Sequence, residues 1–239
     1  MSDTVLLIIL LVPALVIAIV LHEVAHGWMA LMLGDPTAKE RRRLTLNPVR
    51  HVDPVGTLLV PGALALFGGP IFGWAKPVPV LKNRLNNPRF GMMAVAAAGP
   101  GTNLILAAIG AALLGLTAPE GIRLALTDTG LPVMVGGDGV LTVAGTGFFF
   151  FVMINVFLAL FNLLPIPPFD GSHIVEGLLP RSWARAYDRL RPVGMVLLLA
   201  LIAITWLAPG LGLLDRVIGP PVYWLLDRYM AIADMFMGM

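Results

Sequence analysis

The 239-residue sequence predicts an all-α polytopic membrane protein with a three-helix core and further helices toward the C-terminus. Hydrophobic residues make up 58% of the chain and charged residues 13%, and the mean hydropathy is +0.87. This balance lies outside the range of ordinary soluble domains. Four apolar runs also approach or exceed the roughly 17–25 residues that a helix needs to cross a bilayer. We therefore expect one integral-membrane domain over residues 1–239.

The predicted spans follow the apolar runs along the chain. The three core spans cover residues 4–33, 91–116 and 141–164, and C-terminal helices cover 192–208 and 213–237. The first run carries Asp3 and has no basic segment before it, so we expect a retained span rather than a cleaved signal peptide. The final segment contains Asp227, Arg228 and Asp234, and it could be a short fifth span or a helix in the interface.

Residues 54–80, between the first two spans, predict a re-entrant or β-hairpin segment. The apolar stretch 58–74 within it is long enough to suggest a crossing helix. Prolines and glycines interrupt it at five positions, which favours a segment that returns to the side it came from: Pro61, Gly62, Gly68, Gly69 and Pro70.

Loop charge predicts the orientation. Residues 35–90 hold nine Lys or Arg and residues 165–191 hold four Arg, whereas residues 117–140 hold only Arg123. By the positive-inside rule the first two segments are cytoplasmic. We expect a multi-pass protein of the cell (inner) membrane. The net charge of only +2 gives no reason to expect a nucleic-acid partner.

His22 and His26 lie near the end of the first apolar run, with Glu23 beside the first of them. Positions i and i+4 of a helix share one face, so both imidazoles can reach a single metal ion. Glu23 is placed to act as the base for an attacking water. Ionisable residues at membrane depth are costly and usually functional. The chain has no cysteine, so the ligands must be nitrogen and oxygen, which zinc accepts.

Zinc needs a third protein ligand and an open position. The best carboxylate is Asp170, in a proline-rich turn that follows the third span and should reach the membrane depth of His22 and His26. His173 is the main competitor. Alternatively, Asp170 only caps a short helix that runs through Glu176. His51, beside Asp53 in a loop, is interpreted as a structural hydrogen-bond partner more than as a site residue.

Three motifs in this order resemble the site-2 protease family of intramembrane zinc metalloproteases, in its compact bacterial form without PDZ or cystathionine-β-synthase domains. They are HEVAH at 22–26, AGPGTN at 98–103 and NLLPIPPFDG at 162–171. The resemblance implies one zinc per chain, held by His22, His26 and Asp170, with Glu23 as the base. It implies a substrate that is a transmembrane protein or peptide within the lipid bilayer, and a path to the site along the extended stretch 73–80.

The resemblance also suggests roles for Asn103 and Asn162. Their amides could hydrogen-bond the substrate backbone or the developing oxyanion. The alternative is helix–helix hydrogen bonding, which is common for asparagine in membranes. For the whole chain, the alternative function is an intramembrane metal or proton transporter that uses the same His and Asp ligands, which would need an aqueous route alternating between both faces.

Overall fold

In a computed structural model of the protein, the chain is described over residues 3–66, 73–119, 121–127, 130–212 and 216–237. The α-helices of this described part are α1 (Asp3–Met32), α2 (Thr37–Glu40), α3 (Val60–Leu66), α4 (Pro88–Thr117), α5 (Val143–Asn162), α6 (Asp170–Leu178), α7 (Arg181–Asp188), α8 (Gly194–Leu207) and α9 (Gly219–Met237). Its two strands are β1 (Arg123–Leu126) and β2 (Pro132–Val135).

The predicted membrane architecture is confirmed. Four helical segments are long and apolar enough to cross a membrane: Ile8–Met32, Pro88–Thr117, Val143–Asn162 and Arg181–Leu207. Each contains or closely matches one of the four strongest predicted spans. Many of their large apolar side chains are exposed, including Ile8, Ile105 and Val196. Apolar side chains exposed along such helices are suited to lipid contact.

The end of α1 is built by local bonds. The N–H of Asp35 donates to the carbonyl of Ala30 at 2.9 Å. Gly34 between them adopts φ +103°, a left-handed conformation that favours glycine after a helix. The helix therefore ends close to the boundary that its apolar run predicts.

In the segment between α1 and α4, the backbone near Gly56 and the backbone near Trp74 lie next to each other. Pro54–Leu59 forms a π-helical turn that continues into α3, and residues 73–80 then run extended. The N–H of Trp74 donates to the carbonyl of Gly56 at 3.0 Å, so the two ends of the excursion meet. No strand occurs in the described residues of 54–80, and the re-entrant form stays a prediction.

One detail of that segment differs from the prediction. Pro61 and Gly62 lie within α3, which continues from the π-helical turn, and they do not break it. Gly68, Gly69 and Pro70 lie outside the described residues.

The two strands were not expected from the sequence. β1 and β2 pair antiparallel between α4 and α5, with Arg123 opposite Val135; strands of four residues are too short to show a clear alternation.

The final helix α9 packs on α4, where the hydroxyl of Tyr229 donates to the carbonyl of Leu104 at 2.9 Å.

The chain divides into two compact units. The first comprises Met1–Ala18, Asn103–Ala159 and Pro220–Met239, and the second comprises Ile19–Thr102 and Leu160–Gly219. The core of the first unit includes Ala14, Ala18 and Ile154. The second holds a cluster of Ala30, Leu85 and Val95, together with His22, His26 and Asp170. The expectation of a single domain over 1–239 stays a prediction.

Candidate metal centre

His22, His26 and Asp170 converge within the second unit. The two histidine Nε2 atoms lie 3.0 Å apart, and Oδ2 of Asp170 lies 3.2 Å from each of them. Both imidazoles are buried. Over the described ranges of the chain, this is the one cluster of three His, Cys, Asp or Glu side chains that could hold a metal ion.

The spacing and the chemistry of these atoms fit zinc. Tetrahedral zinc with ligands at about 2.0–2.1 Å separates neighbouring ligand atoms by about 3.3 Å. Oδ2 of Asp170 is buried and accepts no hydrogen bond in the described structure, although two ring nitrogens face it. Three buried ligand atoms that point at one another are the arrangement a cation would complete.

A hydrogen bond selects the tautomer of His26. Its Nδ1 lies 2.7 Å from the carbonyl of Val95 on α4, and since a carbonyl only accepts, Nδ1 carries the proton. Nε2 then presents a lone pair toward Asp170. A hydrogen bond from the non-ligating ring nitrogen to a carbonyl orients a metal-ligating imidazole and raises its basicity.

Asp170 is the first residue of α6, and it does not act as the cap of that helix. The N-cap position is Phe169, and no side chain caps the helix. A Cβ at Gly171 would collide with the backbone of Leu163, so the glycine allows the proline-rich turn to fold back closely.

His173, the competing ligand, lies in a different cluster. Its Nε2 is 3.4 Å from Arg191 and its Nδ1 is 3.7 Å from Glu176. Burial, helped by the positive charge of Arg191, lowers the pKa of His173 to about 4. Glu176 pairs with Lys82 at 2.6 Å and with Arg191, which ties α6 to two other parts of the second unit.

Glu23 is half-buried and is held by the extended segment. The backbone N–H of Val78 donates to its Oε2 at 2.8 Å. This bond occupies one carboxylate oxygen and leaves Oε1 to take part in other interactions. Glu23 is not in the group of three potential ligands, in keeping with a role other than ligation.

Gly99 is a site residue whose role the sequence did not reveal. A Cβ at this position would lie 2.5 Å from Nε2 of His26 and 2.6 Å from Cε1 of His22. The backbone of α4 therefore packs directly against both imidazoles. The motif at 98–103 contains this glycine, but only the packing shows why a side chain would not fit there.

Asn103 forms bonds between helices of the first unit. Its Nδ2 donates to Oδ1 of Asn155 at 2.8 Å and to the carbonyl of Ala18 at 3.3 Å. Asn103 and Asn155 are both fully buried. This is the geometry expected for the helix–helix alternative, and Asn155 was not predicted. Asn162 is the last residue of α5. A role in substrate binding stays a prediction for Asn103 and Asn162.

The loop residues His51 and Asp53 bond to backbone groups. His51 is buried and its Nε2 donates to the carbonyl of Thr45 at 2.9 Å. Oδ1 of Asp53 accepts from the N–H groups of Val55 and Gly56, which caps the π-helical turn. Both contacts are of the structural kind that the sequence favoured.

Asp35 was missed because it stands alone in a loop. It is fully buried. Its Oδ1 accepts from the N–H of Thr37 at 3.0 Å, and its Oδ2 accepts from the N–H of Leu81 at 2.6 Å. It joins the end of α1 to the end of the extended segment that holds Glu23.

Comparison with known proteins identifies the family of this chain. The sequence profile of peptidase family M50 matches residues 10–203. The chain belongs to peptidase family M50, the site-2 protease family. Its relatives include a Bacillus subtilis protein named as a candidate zinc metalloprotease, YwhC, which is 40% identical over 192 residues, or 80% of this chain and 78% of its own.

Mycobacterial relatives carry a similar name. The candidate zinc metalloprotease Rip2 of Mycolicibacterium smegmatis is 30% identical over 219 residues, covering 92% of this chain and 73% of its own. Its Mycobacterium tuberculosis counterpart is 28% identical over 226 residues with the same coverage. No solved structure gave a significant match to the chain. The family and the apolar helices together identify a multi-pass membrane metalloprotease and favour it over the transporter alternative.

Proposed function

We propose that this M50 protein is an intramembrane zinc endopeptidase that hydrolyses peptide bonds within or near transmembrane segments of other proteins. The observation that carries the proposal is the triangle of His22 Nε2, His26 Nε2 and Asp170 Oδ2, with edges of 3.0 to 3.2 Å. Two of its corners belong to α1, whose Ile8–Met32 portion is apolar enough to cross a bilayer.

The three side chains would hold one zinc ion. When bound, zinc would supply Lewis acidity, which acidifies a water and polarises the scissile carbonyl. Glu23 accepts the proton of the attacking water and passes it to the leaving amine. The Val78 N–H on Oε2 fixes the orientation of the carboxylate, so Oε1 is the oxygen that exchanges the proton.

The position of the site in the chain supports this substrate class. A peptide bond inside a transmembrane helix is shielded by the helix's own hydrogen bonds, so the substrate must unwind locally before hydrolysis. Substrates with helix-breaking residues near the cleavage point should be preferred. The extended residues 73–80, which include Val78, offer a surface along which an unwound substrate segment could lie.

Glu23→Gln tests the chemistry. The amide oxygen can still accept from Val78, but the side chain can no longer take a proton. We expect purified Glu23→Gln to bind zinc as wild type does and to cleave a single-span substrate about 100-fold more slowly or worse. Near-normal cleavage by the zinc-loaded variant would refute the role of Glu23.

We also propose that the site opens toward the cytoplasm of a cell with the protein in its inner membrane. The basic loops at 35–90 and 165–191 support this orientation. Because the chain has no cysteine, labelling of a single introduced cysteine shows on which side of the membrane that residue lies. Asp138→Cys should react with an impermeant thiol reagent in intact cells, and Ser182→Cys only after the membrane is opened. The reverse pattern would overturn the orientation and leave the chemical proposal intact.

A further inference from the structure

A basic pocket of about 410 Å³ lies in the second unit, and it shares no residue with the metal centre. Aliphatic and proline residues form part of its wall. The other lining residues are four cations: Arg41, Arg43, Arg50 and Lys76. No acidic residue is among those that line it. Across the described segments of the chain, none of the four cationic side chains forms an ion pair with a carboxylate.

Arg43 is the residue that marks the pocket as a site. It is 8% exposed, and its Nη2 donates to the carbonyl of Lys76 at 2.7 Å. Its Nε is buried and has no hydrogen-bond partner in the described structure. A buried guanidinium that lacks an anion is costly, and an acceptor entering the pocket would supply what the chain itself does not.

We propose that the basic pocket binds a phosphate group, carried either by an anionic phospholipid or by a small soluble phosphate compound. Three guanidinium groups and one ammonium match an anion with several acceptor oxygens and more than one possible contact. A single carboxylate has only two oxygens and one charge. The cavity also has room for a headgroup-sized ligand.

The position of the pocket in the chain makes a phospholipid the first source to test. Arg41 follows Met32, the last residue of α1, by nine residues. Basic residues soon after a membrane span meet the anionic headgroups of the cytoplasmic leaflet. A soluble phosphate compound would make the same contacts, so the experiment must separate the two sources.

Binding in the pocket would also bear on Glu23. The pocket wall includes Lys76, whose carbonyl accepts from Arg43 and whose N–H donates to the carbonyl of His51 at 2.9 Å. Two residues later, Val78 donates to Glu23. An anion that orders this wall should favour the position of Glu23; this consequence rests on the proposed function, whereas the binding itself does not.

Calorimetric titration of the purified full chain in an uncharged detergent tests the site. The probes are inorganic phosphate, short-chain phosphatidylglycerol and, as the zwitterionic control, short-chain phosphatidylcholine. We expect saturable binding of one phosphatidylglycerol or one phosphate per chain, and little binding of phosphatidylcholine. Binding of phosphatidylglycerol alone assigns a lipid ligand, and binding of inorganic phosphate admits a soluble one.

Matched variants locate the binding. Arg41 and Arg50 are exposed, so Arg41→Gln with Arg50→Gln should leave the fold intact and weaken binding about tenfold or more. Arg42→Gln removes one positive charge from an adjacent exposed residue that does not line the pocket, and it should bind as wild type does. The proposal is overturned if neither probe binds saturably, if phosphatidylcholine binds as tightly, or if Arg42→Gln weakens binding as much as the double variant.

Discussion

Gly99 of α4 lies against the ring of His26 of α1, so closely that a Cβ at position 99 would lie 2.5 Å from Nε2. The same Cβ would lie 2.6 Å from Cε1 of His22. The backbone of α4 and the carboxylate of Asp170 both lie against the two imidazoles. Closely packed interiors transmit such a displacement rather than absorb it.

Gly99→Ala should therefore weaken zinc binding, because the added methyl would overlap Nε2 of His26 and Cε1 of His22 unless one or both imidazoles shift. We expect zinc affinity to fall about tenfold or more, as for other residues that orient metal ligands. Gly101→Ala is the control, since a Cβ there meets nothing within 4 Å. The amount of zinc bound per chain, measured in both variants after dialysis against buffered zinc, compares their affinities. Equal loss in the two variants would point to a general effect on α4 instead.

Val78→Pro should slow cleavage without removing zinc. Proline lacks the N–H that donates to Oε2 of Glu23, and the extended backbone between Pro77 and Pro79 is suited to proline. Loss of one hydrogen bond to a charged group predicts a fall in kcat of about tenfold or more. Val78→Ala shortens the same buried side chain and keeps the N–H, so its kcat should be closer to that of wild type. If both variants lose the same activity, packing rather than the hydrogen bond matters.

Asp170→Ala and His173→Ala should separate the ligand from its neighbour. Asp170 faces both histidine Nε2 atoms, whereas His173 contacts Arg191 and Glu176. We expect zinc affinity to fall at least about tenfold in Asp170→Ala and to change little in His173→Ala. Zinc retained by the first variant and lost by the second would exchange the two assignments.

Asn103→Leu and Asn155→Leu test whether this amide pair is structural. Each single variant leaves a buried amide without its partner, at a cost of about 0.5–2 kcal/mol. The double variant should lose less free energy of unfolding than the sum of the single variants, because both partners are then apolar. Thermal unfolding in detergent of the wild type, the two single variants and the double variant gives the free energies for this double-mutant cycle. A large fall in kcat confined to Asn103→Leu, with additive stabilities, would favour a role in substrate binding.

Asp35→Asn should lower the stability of the protein at neutral pH and lower it less in acid. Burial raises the pKa of Asp35, but hydrogen bonds from Thr37 and Leu81 outweigh it and lower that pKa below its usual value near 3.8. The stabilisation is thus fully present above about 3.8 and is lost as the pH falls through the folded-state pKa. The melting temperature of the variant should lie below that of wild type at about pH 7, with the difference shrinking toward about pH 3. Asp138→Asn, in an exposed loop, is the control.

Much of the membrane architecture could be predicted from the sequence, because an apolar run of sufficient length is a local property. The ends of α1, α4, α5 and α8 lie within a few residues of the predicted spans. The short strands β1 and β2 could not be predicted, because four residues give too little periodicity. Pro61 and Gly62 were expected to interrupt a helix, and they lie within one instead.

For the candidate site, the sequence alone predicted His22 and His26 as metal ligands, since helical spacing places residues four apart on one face. It predicted Glu23, beside His22, as the base. It offered both Asp170 and His173 as the third ligand, and the tertiary structure brings Asp170 to the histidines. Tertiary structure also decided the contacts of Gly99 with His26, Val78 with Glu23 and Asn103 with Asn155. These partners are separated by 52 to 73 positions in the chain. No local pattern encodes such pairs, because they meet only when the helices and the extended segment pack.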